Sequence, residues 1–180
     1  MRFDFDALVE VLRLAVLSAI SDRDVTIREL SRIEPLWAVS LDILPWQPYV
    51  GIAFRLESES DYGASSNSAD WKHSHFIENI SSAPLSVAAD YVHRLHQEFN
   101  EDVSLEVSHL ILLAGAHALL DSRVALLLRS IGIDAPEINE RLSGTYFKYF
   151  VIDSDGTIKA NYCDIVRANR ATRFMLGRIA

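Results

Sequence analysis

The chain alternates between helical and strand-like hydrophobic periods, and the switches between them outline its elements. Over residues 3–20 the apolar positions Phe5, Leu8, Val9, Leu12, Val16, Ala19 and Ile20 recur at helical spacing. Asp6, Glu10 and Arg13 form a narrow polar stripe opposite them, so this first helix is expected to be covered on most sides. Residues 22–34 read as a charged connector or short helix capped by Ser21 or Asp22. From Trp37 the period falls to two, with Trp37, Val39, Leu41 and Ile43 alternating with Ala38, Ser40 and Asp42. Pro45-Trp46-Gln47-Pro48 interrupts the run and Tyr49–Leu56 resumes it, which predicts a hairpin over 36–57.

Residues 57–70 contain four carboxylates, five serines and no basic residue, the composition of a long, flexible, solvated acidic loop. Beyond Trp71, Pro84 behind Ser82 or Ala83 opens a helix to about Phe99. Asp102 or Ser104 starts a strongly apolar helix to about Leu120, and Asp121-Ser122 starts a shorter one, with Gly132 suited to its C′ position. Gly115, amid Ala114, Ala116 and Ala118, is expected to admit a close neighbour. A second hairpin is predicted from Thr145–Ile152 and Thr157–Cys163 about the turn Asp153-Ser154-Asp155-Gly156, and Asp164 caps a final helix over 165–179. The order α-ββ-ααα-ββ-α makes residues 1–180 a single α+β domain, an antiparallel or mixed sheet of two hairpins packed with several helices.

Composition narrows the function classes. With 17 basic and 25 acidic residues the net charge is −8, which opposes binding to a phosphate backbone and favours a basic protein partner. Residues 61–120 hold Lys72 and Arg94 against eight carboxylates. The acidic loop and its flanks therefore suggest a partner-binding surface of Asp42, Glu57, Glu59, Asp61 and Asp70, with Tyr62 and Trp71 as aromatic anchors. Cys163 is the single cysteine, so no internal disulfide forms and a reducing, cytoplasmic setting is expected. Glu10 and Arg13 interrupt any signal-peptide core. The longest uncharged apolar run, Val107–Leu120, spans roughly 21 Å as a helix against about 30 Å of bilayer, so no membrane role is expected.

Motifs for chemistry are sparse. His73/His75 and His93/His96 could each share a face, and together they are the candidate ligands of a metal-dependent enzyme, the main alternative to a binding role. Without cysteine ligands the pattern is weak, and no metal or other cofactor is assigned. His117 and Asp121 have the spacing of a His–carboxylate pair but lack a nucleophile in a recognisable setting. The Asp153–Gly156 turn fails the calcium-loop pattern, because Val151 and Tyr162 stand at its first and last ligand positions. In the last helix Ile165, Ala168, Thr172, Met175, Leu176 and Ile179 are assigned to one face and Arg167, Arg170, Arg173 and Arg178 to the other. A third alternative is a structural subunit in which a second copy, as a homodimer, covers the broad apolar face of residues 3–20.

The N-terminal helix, the alternating strand through Val39-Ser40-Leu41, the acidic serine-rich loop and the block Ser68-Ala69-Asp70-Trp71-Lys72 resemble small bacterial proteins of unassigned function. Some relatives of those proteins are immunity proteins that neutralise toxins of neighbouring cells. The resemblance covers about the first 100 residues. It implies a non-enzymatic inhibitor that occludes a toxin's active site, and the acidic middle of the chain would suit a basic target.

Overall fold

The computed structural model describes residues 3–59, 68–99, 104–136, 147–152 and 160–176. Helix α1 runs Phe5–Asp22, its first turn capped by the Asp4 carboxylate, which accepts a hydrogen bond from the Ala7 N–H at 3.0 Å. It buries Leu8, Leu12, Ala15, Val16, Ala19 and Ile20, close to the face its periodicity predicts. The charged connector is helix α2, Asp24–Ile33, which buries only Ile27. Strands β1 (Leu36–Leu44) and β2 (Tyr49–Leu56) form the expected antiparallel hairpin, Leu44 pairing with Tyr49 across the Pro45–Pro48 turn. Strand β3 (His73–Glu78) adds to β2 antiparallel. Helices α3 (Ala83–Glu98), α4 (Ser104–Leu119) and α5 (Ser122–Ser130) follow, with Pro84 in the first turn of α3 and Gly132 beyond α5 at φ +93°. Strand β4 (Lys148–Phe150) and helix α6 (Tyr162–Leu176) complete the fold.

The sheet order is β3-β2-β1-β4, with β4 parallel to β1 and the other pairs antiparallel, so the fold is α+β with a mixed sheet. Of the second predicted hairpin, an antiparallel bridge from Ile152 to Asn161 joins the described parts of the two arms, and Lys148–Phe150 also pairs with β1. Residues 153–159, with the turn 153–156, lie outside the described residues. The last helix starts at Tyr162 rather than after Asp164, because the Asn161 side chain takes the capping position, its Oδ1 accepting the Cys163 N–H at 3.1 Å.

Val39, Leu41, Ile43, Val50, Ile52, Phe54, Leu56 and Ile77 face the main core with the helices. Helices α3 and α4 lie on this face and α1 packs across them and α5. The apolar face of α1, which a second copy could have covered, packs on α3, α4 and α5 of the same chain. Among the described residues no single helix is long and apolar enough to cross a membrane, and α4 with α5 reach that length only across a 48° bend.

Gly115 sits where α4 crosses β1. A Cβ there would stand 2.6 Å from Ile43 Cδ1, so the expected close approach is present. Gly115→Ala is expected to cost about 1 kcal/mol net, overpacking outweighing the gain in helix propensity. Ile43→Val costs about 1 kcal/mol through its lost methyl, yet relieves the clash. In urea unfolding the double variant is expected to lose measurably less than the sum of the singles; strict additivity would refute the contact.

Candidate functional site

Because side chains alternate across a strand, the other sheet face carries Ala38, Ser40 and Asp42 on β1 and Tyr49, Gly51, Ala53 and Arg55 on β2. A second, small core forms on it from Ala38, Ala53, Trp71 and Phe150, with Trp37 and Ile152 packed against it. Trp37 reaches this side although its parity matches Val39, because the ladder is irregular between Leu36 and Ala38 and the phase slips there. Ser40 opposite Ala53 and Asp42 opposite Gly51 are small pairs, which leaves room for Ser68 and Trp71 on the face.

Carboxylates tie that segment down. Glu34 Oε1 accepts the Ser58 N–H at 2.9 Å. Glu59 accepts two backbone N–H groups, from Leu56 at 2.9 Å and from Lys72 at 2.7 Å. Asp42 Oδ1 accepts the hydroxyls of Ser40 and Ser68, each at 2.6 Å. The Ser58 hydrogen bonds hold the Glu34 carboxyl below the usual carboxylate range. Asp42 goes the other way: burial raises its carboxyl above the ordinary 3.8 and outweighs the two serine donors.

The sign of that shift fixes a pH dependence. A carboxyl whose folded pKa is raised disfavours the fold as the anion, so the stability it contributes is fullest below 3.8 and is lost as pH rises through the folded value. Asp42→Asn keeps an oxygen acceptor for Ser40 and Ser68 without the charge. It is expected to stabilise the protein at neutral pH by on the order of 1 kcal/mol and to have little effect below 3.8. Urea midpoints measured across that range test this; destabilisation at neutral pH would show that the charge is needed.

Arg55 crosses the same face. It is only 3% exposed, with its guanidinium carbon 4.9 Å from the Trp37 ring and 5.8 Å from the Trp71 ring. It also donates to the Glu59 carbonyl. Trp71 packs edge-on to Phe150, centroids 5.5 Å apart, and Lys148 Nζ lies 4.7 Å from the Trp37 ring. At the far end of β2 the Tyr49 hydroxyl meets His75 Nδ1 at 2.6 Å, and Glu78 Oε1 is 3.5 Å from that nitrogen. Burial first, then the charges of Asp42 and Glu78, raise the phenol pKa, so Tyr49 keeps its proton. Gly51 makes the arrangement possible, because a Cβ there would stand 2.5 Å from the Tyr49 oxygen. His75 itself has φ +57°, a left-handed conformation costing roughly 1 kcal/mol.

The expected partner-binding residues thus divide. Glu57 and Asp70 are exposed. Asp42 and Glu59 are engaged internally as struts of the segment. Trp71, expected as a surface anchor, is 4% exposed and belongs to the small core, because the outer sheet face offers it apolar cover. Asp61 and Tyr62 lie outside the described residues, as does most of the acidic loop; its ends are short turns at Glu57–Glu59 and Ser68–Asp70.

The described histidine contacts run to separate partners. His75 engages Tyr49, whereas His93 Nδ1 lies 3.4 Å from the Pro45 carbonyl and its Nε2 accepts from Gln97 at 2.8 Å. Among the described residues no three His, Cys, Asp or Glu side chains group to hold an ion. His117 packs edge-on to Phe5, and Asp121 caps α5 while gripping Arg123 at 2.9 and 3.0 Å. Burial pushes the Cys163 thiol far up, leaving it inert as a nucleophile.

The assigned faces of α6 also shift. It buries Tyr162, Cys163 and Val166, whereas Ala168 is exposed. Arg167, expected in the solvated arginine row, turns inward with its guanidinium carbon 5.3 Å from the Tyr149 ring. Arg170 is exposed, and the side chains of Arg173 and Arg178 lie outside the described residues.

Sequence reading missed Arg55, Tyr49 and Asn161 as organising side chains. The available signal was an arginine at an outward strand position near two tryptophans, and it became meaningful only once Trp37 and Trp71 were adjacent. Compared with known proteins, the chain matches no family model, no curated protein sequence and no solved structure.

Proposed function

We propose that this chain is a non-enzymatic protein-binding module that meets a basic partner with its carboxylates, most concretely an immunity protein that covers a toxin's active site. One observation carries the reading. Glu34, Asp42, Glu57, Glu59 and Asp70 come from separate parts of the chain but gather around the base of the segment between β2 and β3, against Lys72 and the buried Arg55. Hydrogen bonds hold that base in place, so little ordering entropy is lost when a partner docks on it. Glu57 and Asp70 project from it and steer a basic surface into contact.

The test pairs the purified chain with the product of the adjacent reading frame in its source genome. Tight binding that falls at least about tenfold in Glu57→Lys/Asp70→Lys, with a flatter salt dependence, is expected. Absence of a complex removes the immunity reading. A complex whose affinity ignores both reversals removes the acidic surface as its cause.

A further inference from the structure

A recess of about 240 Å³ lies beside β4, along the edge that no other described strand pairs with. Phe147 and Tyr149 wall it from the helical side, Lys148 and Phe150 from the other, and Asn161, Asp164 and Arg167 close it from α6. Asn161 does not reach into the space, because its amide is spent on the edge: Oδ1 accepts from Val151 and Cys163 at 3.1 Å each, and Nδ2 donates to the Tyr149 carbonyl at 2.7 Å. Arg167 differs. Its guanidinium lies over the Tyr149 ring, and its Nη2 is buried with no hydrogen-bond partner among the described residues. A buried guanidinium N–H without an acceptor is costly. An acceptor brought from outside removes that cost.

From this cavity and its charges we infer that the recess between β4 and α6 binds a small monocarboxylate with a flat apolar body. The carboxylate meets Arg167 and Lys148, and the body lies against Phe147 and Phe150. Three features select the class. Aromatic walls favour a flat apolar body. Two cations opposed by Asp164 leave one net positive charge, matched by a monoanion and not by a phosphate dianion. The volume is below that of a drug-sized site, roughly 300–1,000 Å³, which limits the ligand to the size of a benzoate. The inference does not rest on the proposed partner.

The test titrates the ¹⁵N-labelled chain with benzoate, benzamide and inorganic phosphate, reading amide resonances. Benzoate is expected to shift the amides of Lys148, Phe150, Asn161 and Arg167 saturably, with benzamide and phosphate at least about tenfold weaker. Arg167→Met, which keeps an apolar stem of similar length, is expected to weaken benzoate by about tenfold or more. Lys148→Met, whose methylene stem can still cover the Trp37 ring, should weaken it several-fold, and Asp164→Asn should tighten it. Absence of shifts at these amides would overturn the inference. So would a phosphate affinity equal to that of benzoate, or benzoate binding unchanged in Lys148→Met.

Discussion

Replacing Asn161 by leucine is expected to destabilise the protein by about 3–4 kcal/mol, the largest effect of any single polar substitution considered. One side chain serves three backbone groups. It accepts from the Val151 N–H, accepts from the Cys163 N–H as the cap of α6, and donates to the Tyr149 carbonyl. Its amide thus bonds the β4 backbone at Tyr149 and Val151 as a neighbouring strand's peptide group would. Leucine fills similar space but offers no polar partner, so each group loses its bond at about 1 kcal/mol or more. Water at the partly open edge recovers part of that, which keeps the total below the additive maximum. Asn161→Asp retains both acceptor roles and loses only the donor to Tyr149, so about half the loss is expected. Urea unfolding of the two variants decides it: a leucine variant within about 1 kcal/mol of the parent would mean that the edge is held by other means.

Arg55→Ala is the second large effect, about 3 kcal/mol. The side chain is almost wholly buried and fills the gap between the two indoles while donating to the Glu59 carbonyl. Truncation opens a cavity, removes the cation from both rings and frees the turn at Glu57–Glu59. Arg55→Met separates the terms. It keeps much of the volume and sheds the desolvation of a buried charge, so its loss is expected at about half that of alanine. Tryptophan emission should shift to the red in the alanine variant as water reaches Trp37 and Trp71. Equal stability and unshifted emission in Arg55→Ala would mean that the sandwich contributes nothing to the face.

Both effects arise where sequence patterns carried least information. The face of α1 was legible because a helix packed on one side must repeat its apolar residues with the helical period. The β1–β2 hairpin was legible through its alternation and its proline turn. Strand β3 was not assigned, because His73–Glu78 has a single fully buried apolar residue, Ile77, and its register slips opposite Ile52–Phe54. The second hairpin looked sound because its two arms are locally strand-like. Pairing β4 with β1 as well is a long-range choice, made once α3 and α4 cover one sheet face and leave the β1 edge open. The acidic segment was read as a partner surface from charge alone. Nothing in a run of carboxylates and serines says which acids will find N–H or hydroxyl donors, and Asp42 and Glu59 found theirs on other elements.

The sequence by itself determined the class of the fold, the main helices, the first hairpin and the acidic balance, since each follows from local period, turn chemistry or composition. Tertiary structure alone decided the parallel pairing of β4, the inward turn of Arg167 and the division of the carboxylates into struts and exposed groups. Those features depend on which donors, rings and strand edges meet across long separations, and a side chain's chemistry does not reveal its neighbours until the chain has closed around it.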